Sequence, residues 1–436
     1  MVKDTGVPAG YKQTEVGVIP VEWEVKMFED IADKKVKWSI TRGPFGSNLK
    51  ASEYTSEGVR IIQLQNIGDG VFNDDSKIFT SDEKANELLS CNIYPNEIIL
   101  SKMGDPVARA CFIPNSRKRF LMSSDGIRLV VDESRFAKKF VHEYINSIYF
   151  RKRAIDASIG STRLRIGLQD LKKLLVIAPP LPEQQAIASA LSDVDALITS
   201  LEQLITKKRN IKQGAMQQLL TDKKRLPGFS GEWEVKTLEN VCAKNGLVRG
   251  PFGGTLKKEF FVRNGFKVYE QKNAIYRNVD LGNYFIDKNK FNELKRFEVK
   301  NGDFIVSCSG TIGKIYQIPE GAECGIINQA LLKIKTDHNI IHDRFFFYYF
   351  DWEKFQEKII DNTQGGAMQN LVGMNIFRNT QIPLPPLPEQ QSIAHILSDM
   401  DTEIEALEQK RYKYKALKQG MMQELLTGKT RLLCQQ

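Results

Sequence analysis

The chain has 436 residues, 62 Lys and Arg against 53 Asp and Glu, a formal net charge of +9, and 42% hydrophobic with 26% charged residues. Such a composition suits a folded protein of about three domains, and its basic excess favours a polyanionic partner. No apolar run approaches the roughly 18 residues needed to cross a bilayer, the segment Met1 to Pro8 lacks the apolar stretch of a secretory signal, and the six cysteines form no Cys-x-x-Cys pair that would suggest a disulfide framework or zinc knuckle. A cytoplasmic protein with free thiols is expected, with no membrane partner.

In chain order, the sequence predicts a first mixed α/β domain over 1–180, a helical rod over 181–222, a second α/β domain over 223–384 and a second rod over 385–436. Residues 58–64, 97–101 and 303–307 read as strands. The aromatic run Phe345 to Phe350 heads a buried helix, with Val141 to Phe150 as its counterpart. Pro-Pro-Leu-Pro-Glu-Gln-Gln opens both rods, at Pro179 to Gln185 and Pro385 to Gln391, and an offset of 206 positions holds to the Leu-Leu-Thr endings at Thr221 and Thr427. Ile187, Leu191, Val194, Ile198, Leu201 and Ile205 step by four and three, as do Ile393, Leu397, Met400, Ile404 and Leu407, the spacing of helices that pack along partner helices. Pro182 suits a first helical turn, and Glu183 places negative charge at the positive end of the dipole.

Such a rod is roughly 58 Å long, too long for the interior of one small domain. The expected fold is therefore two α/β domains separated by two long antiparallel coiled-coil helices, with an internal pseudo-two-fold repeat. The repeat is circularly permuted: Gly231-Glu232-Trp233 follows the first rod, whereas the matching Val21-Glu22-Trp23 stands at the start of the chain. Leu191, Leu201, Leu219, Leu397, Leu407 and Leu425 are expected to bind partner helices. Gly214 and Gly420, recurring inside the rods at a cost of about 1 kcal/mol each, suggest close approach of another helix or a local break.

The candidate binding residues suit DNA. Arg42-Gly43-Pro44-Phe45-Gly46 returns as Arg249-Gly250-Pro251-Phe252-Gly253, followed by Lys50 in one case and by Lys257 and Lys258 in the other. A Gly-Pro turn of this kind can offer a backbone N–H and a guanidinium to phosphate. Gln63, Gln65 and Asn66, like Gln271, Lys272 and Asn273, end a strand with groups that either pair with adenine or cap the strand end. Ser101 and Lys102, and Ser309, Thr311 and Lys314, lie on polar loops after buried strands. The second loop lacks the first glycine and the Ser or Thr of a phosphate-binding P-loop. Ser161, Thr162, Arg163 and Arg165 can contact base edges or phosphate. Gln369 and Asn370 stand at the matching place in the second half. The lysines and arginines midway along the rods read as mostly solvated faces.

These repeats resemble the specificity subunit of type I restriction–modification systems over nearly the whole chain. The resemblance rests on the Leu-Pro-Glu-Gln-Gln helices with their Gln-Gly-x-Met-Gln-x-Leu-Leu-Thr endings, the Arg-Gly-Pro-Phe-Gly segments, and Gly160-Ser161-Thr162-Arg163-Leu164-Arg165-Ile166. It implies a non-catalytic subunit in which each domain reads one half of a split double-stranded DNA site. The helices would set the half-site spacing and hold two adenine-N6 methyltransferase subunits, to which restriction subunits are added. S-adenosylmethionine, ATP and magnesium are then cofactors of the partner subunits, with none bound by this chain. Gly365-Gly366-Ala367-Met368-Gln369-Asn370 departs from the first-half segment, so the two sites are expected to differ in chemistry there and the DNA half-sites need not match.

No methyltransferase, helicase, nuclease or metal-ligand set appears in the sequence. His338 and His342 have helical ligand spacing but no first-half counterpart, which favours a surface pair. A methyltransferase or nuclease with its own reader and a spacer carrying protein-binding domains are the other classes open. A related split-site system whose partner fuses methylation and cleavage is the nearest alternative.

Overall fold

The protein is described by a computed structural model covering residues 7–361 and 370–432. The chain divides into two compact units, Met1–Leu201 with Lys410–Gln436, and Glu202–Gln409.

In the first unit, a five-stranded sheet runs in the order Tyr54–Thr55, Ile78–Thr80, Val59–Ile62, Phe120–Met122, Asn92–Ile93. Its central pair is parallel, Ile61 facing Leu121. Parallel pairs need cover on both faces, hence continuous apolar runs. Ile61 and Leu121 accordingly enter one apolar cluster, while Ile62, Phe120 and Met122 enter another. A four-stranded antiparallel sheet orders Ala110–Phe112, Ile98–Ser101, Gly126–Leu129 and Ile40–Arg42.

The second unit repeats both sheets. Phe261–Val262, Phe285–Ile286, Phe266–Tyr269, Gly325–Ile327 and Glu298–Val299 form the five-stranded sheet, again with one parallel central pair. Ile315–Gln317, Phe304–Ser307, Leu331–Thr336 and Cys242–Arg249 form the four-stranded one. The strands expected around 58–64, 97–101 and 303–307 are therefore present. Helix Asp343–Asp351 buries all six aromatics of the run Phe345 to Phe350. Fully burying one such ring contributes about 1.5–3 kcal/mol. The expected counterpart, Val141 to Phe150, spans two helices, Lys138–Ile145 and Ile148–Asp156, the second capped by the Ser147 side chain accepting from the Phe150 N–H, and Asp343–Asp351 is likewise followed by a second helix, Glu353–Ile359.

Both rods are present as 39-residue helices, Leu181–Leu219 and Leu387–Leu425. Each contributes one half to either unit. Ile187 and Leu191 join Leu425 and Leu426 in the core of the first unit, and Leu219 and Leu220 join Ile393 and Leu397 in the second. Leu191, Leu219, Leu397 and Leu425 thus lie in the chain's own cores, each in a cluster that residues of the other rod also enter. Leu201 is also buried and Leu407 half-buried. The close-approach reading of Gly214 and Gly420 is corrected, since a Cβ at either position would meet nothing within 4 Å. Both glycines are exposed.

Some basic residues of the rods form cross-helix pairs, while Lys207, Lys410 and Lys413 are exposed. Lys418 bridges Asp195 at 2.7 Å and Glu143 at 3.0 Å in the first unit. At the equivalent place in the second, Lys212 meets Asp401, which also accepts from the Tyr348 hydroxyl at 2.8 Å. Lys208 and Arg209 pair with Glu403 and Glu408.

The repeated Glu-Gln has a structural use beyond the dipole. Glu183 is 4% exposed and accepts from the Trp23 indole at 2.9 Å and from the Arg431 guanidinium at 2.6 and 2.8 Å. Glu389 is fully buried and accepts from Trp233 and Arg225 in the same way. The Gln184 amide accepts from the Ala137 N–H and donates to the Pro179 and Arg135 carbonyls, as Gln390 does with His342, Pro385 and Ile340. Arg431, at the far end of the chain, thus supplies the first unit with what Arg225 supplies to the second. Within each unit, the permuted order is closed.

Candidate nucleic-acid interface

Arg42, Ser101, Lys102 and Arg165, like Arg249, Ser309, Thr311 and Lys314, lie at one end of their unit's four-stranded sheet, whereas Gln63 to Asn66 and Gln271 to Asn273 follow strands of the five-stranded sheets. In the first unit Arg42 lies opposite Ile127 and Ser101 opposite Gly126, so Arg42 and the loop after Ser101 flank the same strand. That loop is laid against the segment 159–166. Gly104 N–H donates to the Leu164 carbonyl, Ile166 N–H donates to the Lys102 carbonyl, and Met103 bridges Arg165. Ile159 pairs with Arg165 and Gly160 has φ +107, making residues 159–165 a hairpin. At its tip Ser161, Thr162 and Arg163 are exposed, as is Arg165.

Three cations therefore converge. Burial and then the nearby guanidiniums of Arg165 and Arg42 hold the Lys102 ammonium below its ordinary range, with Asp125 opposing them. Asp125 stands 3.8 Å from Arg165. Like charges at close range raise one another's energy and favour an anion that neutralises them. A phosphate would do so.

In the second unit Arg249 lies opposite Leu332, and Ser307 opposite Leu331. The place of Lys102 is taken by Cys308. Its thiol is fully buried, pushed up to about 11 by that burial, and donates to the Val306 carbonyl at 3.3 Å. Ser309, Thr311 and Lys314 are exposed on the loop beyond. The hairpin counterpart begins with Ile360–Asp361 paired to Asn370–Leu371. Gln369 and the side chain of Asn370 lie outside the described residues.

Several assigned contacts are spent on the fold. Gly43 N–H donates to Gly126 and Gly250 N–H to Leu331, so neither is available for phosphate. Glycine is required there by packing: a Cβ would stand 1.7 Å from the Ser123 carbonyl oxygen or 1.8 Å from that of Asn328. Asn66 is buried, accepting from the Gln63 N–H and donating to the Asn73 and Ser76 carbonyls. Asn273 does the same with Glu270, Asn278 and Leu281. Strand-end capping wins at both positions, because a buried amide must satisfy its own donors and acceptor. Ser101 is likewise buried, its hydroxyl accepting from the Arg109 N–H.

The remainder stays accessible. Gln65, Lys50, Lys257 and Lys258 are exposed, and Gln63, Gln271 and Lys272 half-buried. Lys272 pairs with Glu270 at 2.8 Å, and the Gln63 side-chain oxygen Oε1 accepts from the Gln65 amide. Two residues escaped sequence reasoning: Phe45 and Phe252 are 59% and 70% exposed. Their presence in both copies of the arginine segment was the signal that pointed to them. Among the described residues no His, Cys, Asp and Glu grouping could hold a metal, and no helix is long and apolar enough to cross a membrane.

A Methanocaldococcus jannaschii protein named as the type I restriction enzyme MjaX specificity subunit is 25% identical over 443 residues, covering 97% of each chain. The type I restriction enzyme EcoBI specificity subunit of Escherichia coli is 22% identical over 339 residues, 72% of this chain and 69% of that one. The fold is shared with the crystal structure of a type I restriction-modification system S subunit from M. genitalium, with TM-score 0.52 and 16% identity over 92% of this chain and 96% of that chain. A chain from a study of complex assembly and conformational transition of the type I R-M system aligns with TM-score 0.60 and 14% identity, covering 94% of this chain and 99% of that one. Residues 20–213 and 230–413 each match the type I restriction modification DNA specificity domain, and the chain belongs to that family.

Proposed function

We propose that this chain is the DNA-reading subunit of a type I restriction–modification complex acting in the cytoplasm, each unit recognising one half of a bipartite duplex target. The observation that carries the reading is the duplicated sheet end, where Arg42, Lys102 and Arg165 converge in one unit and Arg249, Ser309, Thr311 and Lys314 occupy the matching place in the other. Cations and exposed polar side chains on a rigid sheet edge can grip phosphate and reach base edges.

The two long helices set the distance between half-sites and dock two adenine-N6 methyltransferase subunits, with restriction subunits joining them. The buried leucines are occupied, so docking uses the outward helix faces, where Gly214 and Gly420 are exposed. Methyl transfer and cleavage belong to those partners, along with S-adenosylmethionine, ATP and magnesium. The exchange of Lys102 for Cys308 makes the two reading surfaces chemically unlike, which supports two different half-sites.

Methylome sequencing tests this reading, comparing cells that express the chain with its neighbouring methyltransferase against cells carrying the methyltransferase alone. A new split motif with methyladenine in both halves is expected. An assembled complex that leaves no new mark would overturn the reading.

A further inference from the structure

We propose that Phe45 and Phe252 are DNA-contacting residues, each packing its ring against a base of the half-site its unit reads; this rests on the DNA-reading function proposed above. Both rings are more than half exposed, at 59% and 70%. Each is held out by fixed backbone. The preceding Pro44 and Pro251 are buried. The Phe45 carbonyl accepts from the Asn48 N–H across the turn Gly46–Asn48, and the Phe252 carbonyl accepts from the Thr255 hydroxyl at 2.7 Å. Leu49, 8% exposed, anchors the far side of the first turn.

A phenylalanine presented to water at the same place in two units that otherwise differ has a use outside the fold. The charge around it selects the partner. The Arg42 guanidinium stacks 3.9 Å from the Phe45 ring centroid and belongs to the cluster with Lys102 and Arg165. An apolar protein groove would pay that desolvation cost, whereas a DNA duplex offers phosphates to the cations and, in its grooves, base edges and thymine methyl groups to the ring.

The test uses the full chain assembled with its methyltransferase and a duplex carrying the split motif returned by methylome sequencing. Binding is titrated over a series of salt concentrations. Phe45→Ala and Phe252→Ala should each raise Kd about tenfold, the scale of one lost base contact in a duplex site, with the salt slope unchanged. Phe45→Tyr and Phe252→Tyr should bind as the native protein does, and urea midpoints of all four should stay native. Arg42→Ala should instead flatten the salt slope. Native affinity in both alanine variants, with Arg42→Ala still weakened, would overturn the ring contact and leave the reading standing. Impaired assembly with the methyltransferase, with DNA binding retained, would place the rings in a protein interface and overturn the proposal. Absence of any salt-dependent binding by the native complex would sink the reading itself, and the proposal with it.

Discussion

At the scale of single residues, the same residue type serves the fold in one place and the ligand in another, and burial decides which. Asn273 is spent on three backbone partners. Asn273→Ala should therefore cost about 1–3 kcal/mol of stability, read from urea unfolding, while the preferred half-site stays the same; a changed target would return the residue to the interface. Arg249→Ala should weaken binding through one half-site and reduce the salt slope by about one, which a salt titration measures. Unchanged affinity there and in Arg42→Ala would remove the phosphate assignment. Glu183 is tied to Trp23 and Arg431, and Glu183→Ala should destabilise the first unit by about 3 kcal/mol, the cost of leaving a mostly buried ion pair half-made. The recurrence of Glu183 and Arg225 as Glu389 and Arg431 was visible in the sequence. Their pairing was not, because 248 positions separate Glu183 from Arg431.

Elements were legible where periodicity was strong. Both 39-residue helices follow from the four-and-three apolar spacing and the opening proline. The hairpin 159–165 was not foreseen as one, since it is held by two isolated bridges and a positive-φ glycine rather than by an alternating pattern. Inserting four residues near Ser200 lengthens the first helix by about 6 Å and should change the half-site spacing found in the methylome. An unaltered motif would show that the helix is no ruler.

For the whole molecule, the pH dependence of stability follows from the cross-helix pairs. Burial alone would push the Glu143 carboxyl up, but His142 and Lys418 outweigh it and hold it below its ordinary value of 4.5. Its contribution is present above that value and lost as pH falls through the folded one. Burial alone would push Lys418 down, but Glu143 and Asp195 raise it above 10.5. That contribution is present below 10.5 and lost as pH rises through the folded value. Urea midpoints should thus plateau between these limits and fall beyond both, and Lys418→Met should lower the plateau. Exchanging the first recognition segment for a relative's should change only one half of the methylated motif. The sequence by itself determined the duplication, its permuted order, the two helices and the arginine segments, because these are written in local spacing and in residue types repeated at one offset. Only the tertiary structure decided that Asn66, Asn273 and Ser101 serve the fold, that the rod leucines fill the chain's own core, and that Lys102, Arg165 and Arg42 meet. Those outcomes depend on which distant backbone groups reach each side chain, and burial is a property of the folded neighbours rather than of the residue.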